Sequence, residues 1–337
     1  MAASVSQQVD HSELPWRMLS KEYGCEAAYT PMFHALNFAT QPKYRQKYFS
    51  TCPEDRPLFV QFCSNDPDAL LTAARLVEDS CDGIDINLGC PQDIARQGHY
   101  GSFLQDDWNL ISEMVARLRT NLDPKLTVSC KIRRFEQVER TVDYGRMLEK
   151  TGCTFIGLHG RTREQRGCKM GLADWDHIKA VKAETTIPLI ANGSVQSLRD
   201  AEECLKYTGA DAVMTAEGNL HNPCIFLNIH PPAWEVARRY LHYVDLYPVP
   251  ASIAKSHLFK LFHRCVAVPE NAELRDKLGR ATTIEQLHEV VDGFESRYKS
   301  PDNSDQSMPI TLQPVPVYLC QVSMPTDTSP TVIGVRC

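Results

Sequence analysis

The chain has 337 residues, of which 43% are hydrophobic and 23% charged, with a formal net charge of −6. That length accommodates a barrel of about 250 residues and a smaller unit; no apolar run approaches the ~20 residues that span a bilayer, and residues 1–8 lack the basic region and apolar core of a signal peptide. The 13 cysteines show no repeated CxxC or Cys/His spacing, which argues against a zinc module or a secreted disulfide framework and for reduced thiols in the cytosol.

Taken in order, the chain opens with the faintly alternating Val5-Ser6-Gln7-Gln8-Val9. A helix is predicted over 12–23, with Ser12 as N-cap, Leu14, Met18 and Leu19 on one face and Gly24 as its stop. A strand over 25–32 leads into a long polar crossover over 37–55 that carries Tyr44, Tyr48 and Phe49. The run 58–62 reads as a strand, and 66–80 as a helix with Ala69, Leu70, Ala73, Leu76 and Val77 inward. The apolar run from Gly83 breaks into Asn87-Leu88-Gly89-Cys90-Pro91, a buried strand entering a tight loop. The glycines at 98 and 101 suggest a mobile loop over 92–105 that closes on a ligand. Helices over 109–121, 141–150, 175–183 and 196–208 alternate with strands over 126–130, 154–158, 187–191 and 211–214.

Several of these strands end in a chemical group: Gln61, Cys90, Lys131, His159 and Asn192-Gly193. Functional groups at the C-terminal ends of successive strands are what a (β/α)8 TIM barrel provides. The βα repetition covers residues 12–230. From 231 to 299 the pattern is helical only, a small all-α domain with Ile253, Leu258, Leu261 and Phe262 as one buried stripe. Residues 300–337 are rich in Ser, Pro and Thr and read as a disordered tail, with a β-like patch over 315–322. The acidic balance means that any nucleic acid must be held by a local basic surface.

The ordered set Asn87-Leu88-Gly89-Cys90-Pro91, Lys131-Ile132-Arg133, His159-Gly160-Arg161-Thr162 and Ala191-Asn192-Gly193 resembles the flavin-dependent tRNA-dihydrouridine synthases, in particular the eukaryotic branch that acts on uridines 16 and 17 of the tRNA D-loop. The resemblance covers roughly residues 9–299. It departs at the start, where the family has a strand ending in Pro-Met and this chain has none. Residues 1–11 therefore form an altered N-terminus, the first barrel strand is expected to be altered or missing, and the chain reads as an alternative-start or alternatively spliced form.

The resemblance implies FMN as cofactor, NADPH or NADH as reductant, and tRNA as substrate. It implies Cys90 as the general acid that protonates C5 of uracil while hydride reaches C6; a thiol with an ordinary pKa near 8.5 is protonated at neutral pH. Gln61, Asn87, Lys131, His159 and Arg161 are implied around the flavin, with Lys131 as the cation beside its pyrimidine edge. Its phosphate is expected on the loops after the last two strands, at Asn192, Gly193 and Ser194 and at Ala216 and Glu217. Much of the family has Gly-Arg at 216–217, and a carboxylate there disfavours phosphate unless it turns away. Arg96 and Arg133, with Lys255, Lys260 and Arg264 on one face of the helical domain, are the expected tRNA contacts.

No metal and no membrane contact are expected; a monomer is. The cytoplasm is the expected compartment, with the nucleus as a second. Two other readings stand beside this one: a catalytically impaired tRNA- or protein-binding module that has lost FMN with strand 1, and a barrel flavoenzyme acting on a small molecule, such as a dihydroorotate dehydrogenase relative.

Overall fold

The computed structural model describes residues 3–6, 11–299 and 316–320. Its strands are β1 (Ala3–Ser6), β2 (Ala27–Tyr29), β3 (Phe33–His34), β4 (Leu58–Cys63), β5 (Gly83–Leu88), β6 (Thr127–Arg133), β7 (Phe155–His159), β8 (Leu189–Asn192) and β9 (Ala212–Thr215). All pairings between named strands are parallel, in the order β2-β1-β9-β8-β7-β6-β5-β4-β3, and β2 also pairs with β4. That last pairing closes the sheet into a ring, with the two-residue β3 as a short extension along β4. The architecture is the expected TIM barrel.

The position of the first strand is filled. β1 pairs with β9 from Ala3↔Ala212 to Ser6↔Thr215, and with β2 at Val5↔Ala27 and Ser6↔Ala28. The strand expected to be altered or missing is therefore present. Main-chain pairing asks little of side-chain identity, so a short, small-residue strand suffices between two strands that already present their edges.

The barrel interior follows the strand period of two. Tyr29, Phe155, Ile190, Ala212 and Met214 pack together inside the ring. Outward residues of the barrel strands, among them Val60, Ile84, Val128, Ile156 and Leu158, meet the surrounding helices in the larger core. Both faces of these strands are thus covered, as a parallel sheet requires.

Several elements differ from their prediction. The first helix is Leu14–Glu22; Glu13, not Ser12, precedes it, and Pro15 sits in its first turn, where a missing N–H costs nothing. Met18 is only partly buried, whereas Trp16, Arg17 and Ser20 are buried. The Arg17 guanidinium reaches Asp55 Oδ2 through Nε (2.9 Å) and Nη2 (2.7 Å). The crossover over 37–55 contains two helices, Ala35–Thr40 and Pro42–Tyr48. They fold because Phe33, Phe38, Tyr44, Phe49 and Phe62 form one aromatic cluster, a non-local contact that a polar local pattern hides. Leu76, expected inside, is 48% exposed, because the helix Pro67–Arg75 stops before it.

Beyond the barrel, Ala233–Leu246, Ala251–Leu261, His263–Val266, Ala272–Arg280 and Ile284–Tyr298 form a helical layer with its own core. Trp16 and Leu19 of the first helix belong to that core. The predicted helix over 251–266 is interrupted at Phe262, and Ile253 is half-buried. Most of the tail expected to be disordered lies outside the described residues. Within it, residues 316–320 pack on the helical layer. Ala233 N–H donates to the Tyr318 carbonyl (2.7 Å), Cys320 N–H donates to the Pro231 carbonyl (2.9 Å), and the Tyr318 ring meets Trp234 and Tyr298.

Candidate functional site at the C-terminal mouth of the barrel

Register places the chemical groups at common levels. Gln61 pairs with Asp85, Asp85 with Ser129, Asn87 with Lys131, Lys131 with Gly157, and His159 with Asn192. One result is a buried chain of hydrogen bonds across three strands. Ser129 Oγ donates to Asp85 Oδ1 (2.6 Å), and Gln61 Nε2 donates to Asp85 Oδ2 (2.8 Å). Asn87 Nδ2 donates to Gln61 Oε1 (2.9 Å). Asn87 Oδ1 then accepts the backbone N–H groups of Gly89 (3.1 Å) and Cys90 (2.8 Å). The Asp85 carboxyl is pushed up to about 6 by burial, against the hydrogen bonds from Ser129 and Gln61 and the charge of Lys131.

The Cys90 loop is also held from outside. Arg133 Nε donates to the Gly89 carbonyl (2.7 Å) and its Nη1 to the Thr162 carbonyl (2.8 Å). The segment expected to be a mobile flap instead buttresses Cys90. It folds into a helix, Asp93–Gln97, and a turn at Gly101–Phe103, and Ser102 donates to the Cys90 carbonyl through both N–H and Oγ, each at 3.0 Å. Gly101 has φ +63, and a Cβ there would stand 2.7 Å from the Cys90 carbonyl oxygen. The glycine therefore serves close packing, not motion.

Lys131 is 6% exposed. Its Nζ donates to Asn192 Oδ1 (2.9 Å), and among the described residues it makes no ion pair. Burial, with the Arg133 charge beside it, lowers it from 10.5 to about 7, and Asp85 partly offsets both. Its stem crosses Gly157, where a Cβ would come within 2.7 Å of Lys131 Cδ. His159 is held well below its ordinary range by burial and by Lys131, Arg133 and Arg161. It is therefore neutral, and Nε2 can accept from Arg161 Nη1 at 3.1 Å.

Beside this pair opens a cavity of about 400 Å³ lined by His159, Arg161, Asn192, Gly193, Ser194, Ala216, Glu217 and Gly218, among others. Arg161 Nη2 donates to Ser194 Oγ (3.2 Å), which also accepts Ala173 N–H (2.9 Å). At Gly193 φ is +108, and a Cβ would meet Ala173 Cβ and His159 Cδ2, each at 2.7 Å. A second cavity of about 520 Å³ is lined by Arg96, Phe103, Arg163, Glu164, Arg166 and Lys169. It adjoins the Cys90 loop, since Arg166 Nη1 donates to the Pro91 carbonyl at 2.6 Å.

A cysteine loop, a buried lysine and a glycine-lined cup at one mouth of a parallel barrel agree with what the comparisons return. The dihydrouridine synthase (Dus) family model matches residues 4–292. The chain belongs to the dihydrouridine synthase family. It is 45% identical over 321 residues to the mouse tRNA-dihydrouridine(16/17) synthase [NAD(P)(+)]-like protein, covering 94% of this chain and 67% of the relative. The budding yeast tRNA-dihydrouridine(16/17) synthase [NAD(P)(+)] is 41% identical over 94% of this chain and 82% of its own length. The human tRNA-dihydrouridine(20a/20b) synthase-like protein is 42% identical over 65% of this chain and 68% of its own length. The chain spans about two thirds of the rodent relatives, the share being 66% for the rat protein. Among solved structures, a 2-naphthoyl-CoA reductase bound to 2-naphthoyl-CoA shares the fold, with a TM-score of 0.50 and 9% identity over 67% of this chain and 49% of that one.

In this member of the dihydrouridine synthase family the residues read from sequence fall into distinct groups. Gln61, Asn87, Cys90, Lys131, His159, Arg161, Asn192, Gly193 and Ser194 converge at the mouth. Ala216 and Glu217 border the cup, with Glu217 exposed and Gly218 buried beneath it. Arg133 is engaged with loop carbonyls, and Arg96 lies exposed on the basic crevice. Lys255 Nζ donates to the carbonyls of Gly279 and Ala281, each at 3.0 Å, capping a helix C-terminus. Arg264 donates to the Pro316 carbonyl (3.3 Å), and Lys260 is half-buried. Sequence reasoning missed Asp85 and Ser129, although a carboxylate inside an apolar strand was a visible signal. It also missed Arg163 and Arg166, which lie in a loop rich in Arg and Lys.

Proposed function

We propose that this chain reduces uridine to 5,6-dihydrouridine in the D-loop of tRNA, at positions 16 and 17. The observation that carries the reading is Lys131: a buried ammonium with an amide partner and no ion pair among the described residues, beside a cup lined by Arg161, Gly193 and Ser194. Such a cation is stabilised by an anionic group bound against it. FMN fits these residues, and when bound it would supply the hydride for C6 and be reduced in turn by NADPH or NADH.

The phosphate suits Arg161, Ser194 and the Gly193 turn. Glu217 is solvent-exposed but lines the same cup, and its charge acts on Arg161, so the phosphate would bind beside a carboxylate through Arg161, Ser194 and backbone N–H groups. Cys90, 2% exposed and fixed through its own N–H, would hold the proton that goes to C5. The basic crevice next to it, with Phe103 among its arginines, suits an RNA strand from which the target base has turned out. Positions 16 and 17 are favoured because the 16/17 relatives match 83% to 94% of the chain, against 65% to 74% for the 20a/20b relatives.

The test is Cys90→Ala in the flavin-loaded protein with unmodified tRNA and NADPH. Dihydrouridine formation should fall by about 10²–10⁴-fold, with flavin absorbance and tRNA binding retained. An unchanged rate would remove Cys90 from the chemistry. A wild-type protein that binds flavin yet makes no dihydrouridine would end the reading.

A further inference from the structure

The two backbone N–H groups of the Cys90 loop, those of Gly89 and Cys90, are both taken by a single side-chain oxygen, Asn87 Oδ1. A carboxamide has an accepting end and a donating end of nearly the same shape. Turned over, Asn87 would set its own NH2 against two donors. The choice is made by its other contact, since Asn87 Nδ2 donates to Gln61 Oε1. Gln61 is also a carboxamide with the same two orientations, and its Nε2 faces Asp85 Oδ2. Asp85 ends the ambiguity, because an ionised carboxylate only accepts. Ser129 Oγ occupies its second oxygen. Water cannot readily substitute for any link, because Asp85, Gln61 and Ser129 are 0% exposed and Asn87 is 3%.

We propose that Asp85 is a positioning residue that sets the polarity of this relay and, through Gln61 and Asn87, holds the Cys90 backbone in place. Its role in the reaction rests on the reading of Cys90 above; its action on the loop does not. Asp85→Asn keeps the shape and removes a buried charge, so the fold should tolerate it. Its amide can present either end to Gln61, with Ser129 Oγ donating or accepting to suit, so the relay loses its fixed sense. Adding Gln61→Glu places a carboxylate one link nearer the loop. That carboxylate accepts from the new amide at 85 on one oxygen and from Asn87 Nδ2 on the other, so Asn87 regains a single orientation.

The readout is backbone amide hydrogen exchange at Gly89 and Cys90 in the full chain, with the melting transition as a check on folding. Asp85→Asn should speed exchange at these two amides by about tenfold, the loss of roughly one hydrogen bond. The double variant Asp85→Asn/Gln61→Glu should return it to the wild-type rate, which a general loosening from a lost charge would not do. Should Asp85→Asn fail to fold, Gln61→Met cuts the relay at its middle link and should give the same rise. Unchanged exchange in the folded single variant, or a double variant as fast as the single, would overturn the proposal. Retained activity in Cys90→Ala would instead overturn the catalytic reading and leave the relay intact.

Discussion

Replacing Lys131 with methionine keeps the length of the side chain and removes its charge from a site with no ion-pair partner among the described residues. In the folded, flavin-free protein burial brings the amine down to about 7, against the ordinary lysine value of 10.5 in the unfolded chain. Below pH 7 both states hold the proton, and the folded protein bears the full penalty of a buried charge. Between pH 7 and 10.5 the unfolded chain keeps the proton and the folded one does not, so this group makes stability rise with pH across that window. At ~1.4 kcal/mol per decade the range amounts to at most ~5 kcal/mol. Lys131→Met should therefore be more stable than the wild type at pH 6, by up to that amount, and the gap should close toward pH 10.5.

Urea unfolding of both flavin-free chains from pH 6 to 10 measures this. Taking their difference cancels shared terms, such as the buried thiols of Cys81 and Cys204, which burial pushes up to about 12. Parallel curves across the whole range would refute the reasoning. The same linkage predicts proton uptake when FMN binds the wild type at pH 8, read by calorimetry in buffers of different ionisation enthalpy.

Arg17→Met should cost about 3–5 kcal/mol, because it strands the fully buried Asp55 carboxylate with Lys21 as its remaining cation. Chemical denaturation checks this, and a loss below about 1 kcal/mol would mean that Lys21 satisfies Asp55 alone. Ending the chain at residue 315 should lower stability by about 2–4 kcal/mol, since Cys320 is fully buried and Tyr318 packs on Trp234 and Tyr298. An unchanged denaturation midpoint and unchanged tryptophan fluorescence would show that the helical layer does not depend on this segment.

Much of the barrel was legible because its signals are local. Most apolar runs of strand length between helical patterns became strands, and residues at or near their C-terminal ends came out at the mouth, as at Cys90, Lys131, His159 and Asn192. The mobile flap was misread because glycine is ambiguous in one dimension: Gly101 looks like a hinge until the Cys90 carbonyl is found where its Cβ would lie. Lys255 and Arg264 were read as a basic face, but their partners are carbonyls 24 and 52 residues away.

The sequence by itself determined which groups stand at the ends of which strands, and with them the family. Period and turn chemistry act over a few residues, so they can be read along the chain. The tertiary structure decided what those groups do to one another. Barrel closure sets a register that brings Gln61, Asp85 and Ser129 to one level, leaves Lys131 without an ion pair among the described residues, and gives Ala3–Ser6 two strands to pair with. Register belongs to the closed ring as a whole, and no single stretch of chain contains it.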